Sequence, residues 1–304
     1  MISRRPRRIR GSMDFCVLGP LSVVDDGIDR TPSAPKQRQM LALLLMNANH
    51  VVSMSQFVEE LWEYSPPSSA VAAVHTYVMQ LRRTLGGRPN SASPGPAGPG
   101  QLTTRDQGYV LRVEPGELDL DVYEDEVRSA RNSLDCGALS RGARELRAAQ
   151  QRWRGQILVD VPIGPLLHAA IAVVERNRLD ALSRRISADL DLGRHHTLIG
   201  ELSSLSLEHP ADETLAAQLM LALYRSGRRV DALAVFHRLR HALRDEHGAS
   251  PSARVQQLNT DILSAHPRLD APSMPRWRLS LDLVDPCSPA EPSAPTWSGA
   301  GLPG

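Results

Sequence analysis

The first third of the chain contains patterned segments in an order that few folds accommodate. MDFCVLGPLSVVDDGIDR (13–30) alternates apolar and polar residues around a Gly-Pro pair and an Asp-Asp-Gly turn, which predicts two or three short strands. Three helical segments follow, over 34–50, 53–62 and 70–86, and QLTTRDQGYVLRV (101–113) is typical of a β-hairpin. Strands, three helices and a hairpin in this order predict a winged helix, which is a helix-turn-helix with a β-hairpin appended.

The third helical segment decides what such a winged helix could recognise. At about 100° per residue, its apolar residues form one stripe, made of Val71, Val74, Val78, Leu81 and Leu85. The opposite face is small at its start, polar in its middle and cationic at its end, with Ser69, Ala72, Thr76, Met79, Gln80 and Arg83. The stripe belongs against a core, and a DNA major groove accepts an opposite face of this kind. A solvated surface with two spare arginines is the alternative.

Four residues of this helix are candidates for contacts with base edges and the adjacent backbone, namely Thr76, Met79, Gln80 and Arg83. Glutamine can bind adenine through two hydrogen bonds, and threonine can touch the methyl group of thymine. Arg82 lies about 100° around the helix from Arg83, so the two cannot both point into a groove. We therefore expect Arg82 to meet a phosphate or an acidic neighbour.

Two further pairs of residues are candidates for the DNA backbone. Lys36 and Arg38 lie at the start of the first helix, where a helix N-terminus and cations together suit phosphate. Solvated capping charges are an equally good interpretation of this pair. Thr104 and Arg105 lie near the tip of the predicted hairpin, which would rest against the backbone or the minor groove.

Charge supports a nucleic-acid partner only weakly. The 304 residues carry a net charge of +1, divided between +5 in residues 1–113 and −4 in the remainder. All of the first part's surplus lies in RRPRRIR (4–10), so residues 13–113 are neutral. We expect residues 1–12 to be a basic, disordered leader.

The residue types present exclude several classes of protein. Lys36 is the only lysine, and it lies outside any GxxxxGK[ST] sequence, while GxSxG and HExxH motifs are absent. Cys16, Cys136 and Cys287 have no metal-site or disulfide spacing. No stretch approaches the roughly 18 apolar residues of a membrane span. We expect a protein that is not an enzyme, needs no cofactor or metal, binds no membrane and works in the cytoplasm, associated with the nucleoid.

From Leu118 onward the pattern is helical and contains a repeat. Gly193 and Gly227 are 34 residues apart, which is the period of tetratricopeptide repeats. Ala232 and Phe236 fall where that repeat places a small and then a large packing residue. Helical segments are predicted near 120–134, 138–153, 166–192, 195–208, 212–226, 229–246 and 252–265. Stacked helical pairs of this kind usually bind protein.

Two histidine pairs in this half have spacings that could hold a metal. His237 and His241 are four residues apart on one helix, but charged residues surround them and no cysteine is near. His195 and His196 open another helix. We interpret all four as solvated surface.

Several runs of residues strongly resemble the Streptomyces antibiotic regulatory protein family: VLGPLSV, APKQRQMLALLL, ELWEYSPP, TYVMQLRR and ELDLDVYE. The resemblance covers roughly residues 13–268. It implies a winged helix of the response-regulator type, followed by a bacterial transcriptional activation domain with tetratricopeptide-like packing. It also implies an activator that binds double-stranded DNA as a head-to-tail homodimer, at direct repeats near the −35 region of a promoter. Such an activator recruits RNA polymerase through its sigma subunit, usually at a secondary-metabolite (antibiotic) gene cluster.

The chain departs from this family at three places in the winged helix, one of them the loop over 86–100, which is longer and richer in proline than usual. Ser33-Ala34 stands where many members have Gly-Gly, and Ala73-Val74-His75 stands where many have Thr-Leu-Gln. The difference at 73–75 falls on the third helix, so the base preference is expected to differ from that of other members.

The sequence thus predicts a mainly α-helical protein with an N-terminal winged helix-turn-helix and an all-α, tetratricopeptide-like second half. We expect four parts: the basic leader (1–12), a winged-helix DNA-binding domain (13–114), an activation domain (115–268) and a disordered Pro/Ser-rich tail (269–304). The alternative to a DNA-binding activator is a helical scaffold whose winged helix docks protein rather than DNA.

Overall fold

The computed structural model describes residues 13–86 and 102–270. The predicted leader (1–12), most of the loop before the hairpin and the tail beyond residue 270 lie outside these residues. The described part is mainly helical and has two small antiparallel sheets. This architecture confirms the predicted fold class.

A three-stranded antiparallel sheet opens the described chain. Its strands are β1 (Met13–Cys16), β2 (Ser22–Asp25) and β3 (Ile28–Asp29), in that spatial order. Asp26 and Gly27 connect β2 to β3 with φ angles of 48° and 85°. A two-residue hairpin turn of this kind requires positive φ at both central positions, which Asp and Gly tolerate.

Three helices form the helix-turn-helix unit: α1 (Pro35–Met46), α2 (Met54–Trp62) and α3 (Ala70–Thr84). The middle of α1 is buried all round because α2, α3 and the second sheet pack about it. α2 begins at the predicted capping box, in which the side chain of Ser53 accepts from the backbone of Gln56 and the Gln56 side chain accepts from the backbone of Ser53.

A second sheet forms the wing of the predicted winged helix. It contains β4 (Val52–Ser53), β5 (Leu102–Arg105) and β6 (Gly108–Leu111), with β6 in the middle. A Cβ atom on Gly108 would lie 2.0 Å from the carbonyl oxygen of Val52. Only glycine therefore lets the wing approach β4 so closely.

Seven helices make up most of residues 112–270, the rest of the described chain, and each packs mainly against its neighbours in sequence. They are α4 (Asp119–Asp135), α5 (Leu139–Gln150), α6 (Pro165–Asp191), α7 (His195–Glu208), α8 (Glu213–Arg225), α9 (Arg229–His247) and α10 (Ala253–Ser264). A short 3-10 turn, Pro267–Leu269, follows. Packing between successive helices is what stacked helical repeats require.

Gly193 and Gly227 end α6 and α8 in the same way. Their φ angles are 72° and 74°, and in each case the following residue donates its backbone N–H to the carbonyl five positions earlier. This is the Schellman arrangement, which favours glycine because of the left-handed backbone. Ala232 and Phe236 are buried, so the predicted 34-residue repeat has a structural counterpart.

The apolar core crosses the predicted boundary between residues 114 and 115. One cluster of buried side chains runs from β1 into α6, and a second fills the space among α6 to α10. The backbone of Phe15 in β1 bridges to Leu118, and the carboxylate of Asp119 accepts from the backbone N–H groups of Val17 (2.8 Å) and Leu18 (3.1 Å). The winged helix and the start of the helical half therefore share one core.

Glu60 joins the helix-turn-helix unit to α6. Its buried carboxylate accepts from the backbone N–H groups of Gly164 (2.7 Å), Leu166 (2.9 Å) and Leu167 (3.0 Å). A Cβ atom on Gly164 would lie 2.2 Å from the Glu60 carbonyl oxygen, so the two segments touch. A side chain from α2 thus caps the N-terminus of a 27-residue helix in the other half.

Two environments predicted from the sequence are wrong. The predicted burial of Val71 is wrong: its side chain is 50% exposed, because it lies where the apolar stripe of α3 leaves the core. The predicted solvation of His195 is also wrong: the residue is 5% exposed, because the first turn of α7 packs against the neighbouring helices. His237 and His241 are exposed, as predicted.

Within residues 13–86 and 102–270, no helix combines the length and apolar character needed to cross a membrane. In the same residues, no group of three or more histidine, cysteine or acidic side chains is arranged to hold a metal ion.

Candidate nucleic-acid interface

One side of α3 is exposed along the whole helix. This surface, called the α3 face below, consists of Val71, Ala72, His75, Thr76, Met79 and Arg83. The other side is buried through Ala70, Val74, Val78 and Leu81. Met79 lies at the centre of the α3 face and is 55% exposed. Val71, two turns earlier on the same face, is 50% exposed, so the α3 face carries two large exposed apolar side chains.

Arg82 fixes the wing beside the α3 face. Its Nε donates to the carbonyl oxygen of Leu102 (2.9 Å), and a terminal nitrogen donates to the hydroxyl of Thr104 (2.8 Å). Its guanidinium also lies 5.7 Å from the ring centre of Tyr109. Of the two partners expected for Arg82, a phosphate or an acidic neighbour, the acidic neighbour is not found among the described residues, and a phosphate contact stays a prediction. The side chain instead holds β5 and β6 against the helix.

A histidine and a tyrosine form a second link between α3 and the wing. The Nδ1 atom of His75 lies 2.7 Å from the hydroxyl of Tyr109, and the two rings meet edge to face. The Tyr109 ring is buried, and this burial raises the pKa of its phenol, partly offset by the positive charge of Arg82. The phenol therefore keeps its proton near neutral pH.

Gln80 is linked to α1 on the opposite edge of the α3 face. The side-chain amide of Gln37 donates to the side-chain oxygen of Gln80 at 2.7 Å. The amide nitrogen of Gln80 remains available as a donor, whereas its oxygen already has one partner. Any reading of a base by Gln80 therefore involves Gln37 as well.

Two cations, one on the α3 face and one beside it on the wing, are available for an external partner. Arg83 and Arg105 are exposed, and neither forms a hydrogen bond or ion pair with the residues that the structure describes. Thr76 is also exposed, and its hydroxyl donates to the carbonyl of Ala72 at 3.0 Å. The Thr76 oxygen is therefore left as an acceptor toward the outside.

Lys36 and Arg38, the two predicted phosphate ligands, are engaged inside the protein. The ammonium of Lys36 donates to the carbonyl of Leu61 at the end of α2. Arg38 pairs with the carboxylate of Asp160 and donates to the carbonyl of Pro32. Both side chains keep N–H donors beyond those that these partners use, because an ammonium has three and a guanidinium five.

The structure thus brings the predicted residues of α3 and the wing to one surface, while the cations of α1 face other partners. Two residues of this surface, His75 and Gln37, were not predicted from the sequence as contacts. His75 could have been found, because a helical wheel places it between Val71 and Met79, but the assignment of Val71 to the core concealed it. Gln37 gave no signal, since its partner is 43 residues away.

The exposed side of α3 has an apolar centre and one arginine, and the neighbouring hairpin has another arginine. A helix of this kind can enter a DNA major groove, which is about 12 Å wide. The apolar and hydroxyl groups can meet base edges, and the arginines can meet phosphates.

Both halves of the chain match families of transcriptional regulators. Residues 29–111 match the family described as transcriptional regulatory protein, C terminal. Residues 118–263 match the bacterial transcriptional activator domain. The first match contains the helix-turn-helix unit and the wing, and the second contains α4 to α9 and most of α10.

Two curated relatives from Streptomyces are similar over most of the chain. Regulatory protein DnrI of Streptomyces peucetius is 40% identical over 258 residues, which are 85% of this chain and 94% of DnrI. Regulatory protein AfsR of Streptomyces coelicolor is 37% identical over 260 residues, which are 85% of this chain but 25% of AfsR. The chain therefore corresponds to nearly all of DnrI and to a quarter of AfsR.

A solved structure has the same arrangement of elements. It is described as Mycobacterium tuberculosis EmbR in complex with a low-affinity phosphopeptide, and it superimposes with a TM-score of 0.75 at 32% identity. The match covers 87% of this chain and 67% of that EmbR chain. With the two domain matches and the near-complete coverage of DnrI, this chain belongs to the Streptomyces antibiotic regulatory protein family of transcriptional activators.

Proposed function

We propose that this activator binds DNA in a sequence-specific manner, with α3 in the major groove and the wing against the backbone or the minor groove. The observation that carries the proposal is the α3 face itself. It is exposed, has an apolar centre at Met79, and carries Arg83, with Arg105 of the wing beside it; neither arginine has a partner among the described residues. In a helix-turn-helix protein this is the helix that enters the major groove.

The residues divide between reading bases and fixing the backbone. Thr76, Met79, Gln80 and Arg83 are the proposed contacts with base edges and the adjacent phosphates. Proposed backbone contacts are Lys36, Arg38, Arg82, Thr104 and Arg105. Of these, Arg105 is free in the described chain, and Arg82 positions Thr104 through their hydrogen bond. Lys36 and Arg38 would contribute through the N–H donors that their present partners leave unused.

We assign activation to residues 115–268, which would contact RNA polymerase, including its sigma subunit. Support comes from the match to an activator domain and from the helical stack, an architecture that usually binds protein. The chain would bind direct repeats near the −35 region as a head-to-tail homodimer. Similarity to DnrI and AfsR supports a promoter within an antibiotic or other secondary-metabolite gene cluster.

A salt-titrated mobility-shift assay tests DNA binding. The full chain is incubated with duplexes selected from a random library, and the affinity is measured at several salt concentrations. We expect the affinity to fall linearly with salt on a double-logarithmic plot, because phosphate contacts release counterions. Replacing Arg83 with Ala should lower the affinity and, if it binds a phosphate, reduce the slope by about 1.

Arg240→Ala is the matched control for this experiment. Arg240 is also exposed and has no partner among the described residues, but it lies on α9 in the other half. It should leave affinity and slope unchanged. If no duplex is enriched, or if Arg240→Ala weakens binding as much as Arg83→Ala, the α3 face does not bind DNA. The protein-docking alternative would then account for its exposed residues.

A further inference from the structure

His75 lies on the α3 face beside the wing, and its Nε2 atom has no hydrogen-bond partner among the described residues. We propose that His75 is a specificity-determining residue and that its Nε2–H donates to a guanine in the major groove. This inference rests on the proposed function of α3 and names one base that the helix reads.

The placement of His75 makes such a contact possible. The residue is exposed and lies one helical turn from both Val71 and Met79, on the same exposed side of α3. Its Nδ1 atom is bound to the hydroxyl of Tyr109, so Nε2, on the far side of the five-membered ring, points away from the wing. None of the described residues forms a hydrogen bond with Nε2.

The hydrogen bond to Tyr109 determines what Nε2 can do. The Tyr109 phenol keeps its proton, and His75 is its only hydrogen-bond partner in the described chain. When the phenol donates to Nδ1, a neutral imidazole must carry its own proton on Nε2. When the imidazole is protonated, Nδ1 donates to the phenol oxygen and Nε2 again carries a proton. The remaining tautomer, neutral with its proton on Nδ1, would leave the O–H of the buried phenol without an acceptor among the described residues, which costs free energy. The two favoured states both present an Nε2–H donor to the outside.

An outward donor distinguishes the bases of the major groove. Guanine presents two adjacent acceptors there, N7 and O6, whereas cytosine presents the donor N4. Adenine has one acceptor next to a donor, and thymine has one acceptor next to a methyl group. A single N–H group therefore favours guanine most and disfavours cytosine most.

Tyr109 acts as a positioning residue for His75. It lies in β6, where its backbone pairs with Val52 on one side and Thr104 on the other. Its ring lies 6.0 Å from that of Phe57 in the core. The phenol that orients His75 is thus held by the wing and the core together, and it does not itself reach the groove.

Base selection by variants tests the proposal. The full chain, wild type and variant, selects duplexes from a random library, and enriched sequences are compared position by position. Wild type should prefer guanine over cytosine at one position of each half-site by about tenfold. His75→Ala should remove this preference while the other positions stay selected. His75→Gln should shift it toward adenine, which glutamine binds through two hydrogen bonds.

Tyr109→Phe separates positioning from folding. It removes the hydroxyl but keeps the buried ring, so the guanine preference should weaken while the unfolding temperature and the other positions change little. His50→Ala is the control, because His50 is exposed in the turn after α1 and, among the described residues, its side chain bonds only to the carbonyl of Ala48. It should select the wild-type sequence.

The outcomes distinguish this inference from the proposed function. If wild type enriches no sequence, the DNA-reading function fails. If wild type enriches a sequence that His75→Ala enriches unchanged, the role of His75 is overturned and the function stands. A His75→Ala protein that loses affinity equally for all sequences would show a phosphate contact instead, which also overturns the reading of guanine.

Discussion

At the scale of single residues, Gln80 is the predicted reading residue whose surroundings the structure changes most. Its side-chain oxygen already accepts from Gln37, so the two glutamines present one combined surface. Replacing Gln80 with Ala should cost about 1–3 kcal/mol on the preferred site and relax selection at one base position. Competition titrations with duplexes that differ at single positions measure both effects.

Gln37→Ala provides the matching test of the pair. Because it frees the oxygen of Gln80, it should alter selection at the same base position and at no other. Selection altered at a different position would mean that the two residues act separately. If both variants lose affinity equally for all duplexes, this edge of α3 meets phosphates, contrary to our assignment.

His195 carries a pH-dependent part of the stability. Burial lowers its pKa, and the nearby His196 and Arg225 lower it further. The folded protein therefore holds this imidazole neutral, while the unfolded chain protonates it below its ordinary pKa of about 6.5. This contribution to the free energy of unfolding is present above that value and is lost as the pH falls through it.

Denaturant unfolding of wild type and His195→Leu between pH 5 and pH 8, in buffers of equal ionic strength, measures this contribution. The stability difference between the two proteins should favour wild type more at pH 8 than at pH 5. A difference that is constant across this range would contradict a neutral buried His195. Carboxylates titrate in both proteins, so their effect cancels in the comparison.

At the scale of elements, Glu60 links two helices that are far apart in sequence. Its carboxylate accepts three backbone hydrogen bonds at the start of α6. Because the side chain is buried, water cannot replace the carboxylate as acceptor when it is removed. Glu60→Ala should lower the free energy of unfolding by about 2–3 kcal/mol. Glu59→Ala, on the adjacent exposed position of the same helix, should change it by less than about 0.5 kcal/mol. Equal effects from the two would remove the capping role.

Phe236 tests the helical stack in the same way. It is 8% exposed and lies at the large packing position of the repeat, among the buried residues of α6 to α10. Phe236→Ala should cost about 3–5 kcal/mol through the cavity that it leaves. Transcription from a reporter promoter should fall with it. A variant that unfolds and activates like wild type would refute the packing role.

The sequence predicted the elements better than their surroundings. The capping box at Ser53 and the left-handed glycines Gly193 and Gly227 are local signals, so the helix ends they mark lie within a residue or two of the prediction. Contacts between distant residues left no such signal. The cap from Glu60 to α6 and the hydrogen bonds of Arg82 to the wing depend on the folded chain.

The centre of the α3 face was predicted correctly from the sequence, but its edge was not. Thr76, Met79 and Arg83 are exposed as the helical wheel predicts, because period and burial agree at the centre of a face. Val71 lies at the edge of that face, where an apolar residue need not be buried. Because Val71 is placed in the core by the helical wheel, the exposed face predicted from the sequence leaves out His75, one turn later.

At the scale of the whole molecule, the shared core and the cap from Glu60 fix the orientation of the winged helix, including α3, relative to the helical half. A head-to-tail pair on direct repeats would therefore present both activation halves in the same direction along the DNA. Repeats should be spaced by about one helical turn, roughly 10–11 bp, so that both α3 helices meet the groove on one side of the duplex.

Repeat spacing can be varied in a binding assay. Inserting about half a turn between the repeats should abolish cooperative binding, and inserting a full turn should partly restore it. An inverted repeat bound as tightly as the direct repeat would exclude the head-to-tail arrangement.

Photo-cross-linking from the centre of the α3 face is the most direct test that this helix reads DNA. The photoreactive residue p-benzoylphenylalanine replaces Met79, and in a control protein it replaces Leu207, which is 76% exposed on α7. On the selected duplex, the probe at position 79 should cross-link to bases in the major groove of each repeat, and the probe at position 207 should not cross-link to DNA. Bound DNA that cross-links from neither position, or from position 207 alone, would contradict the assignment of α3 as the reading helix.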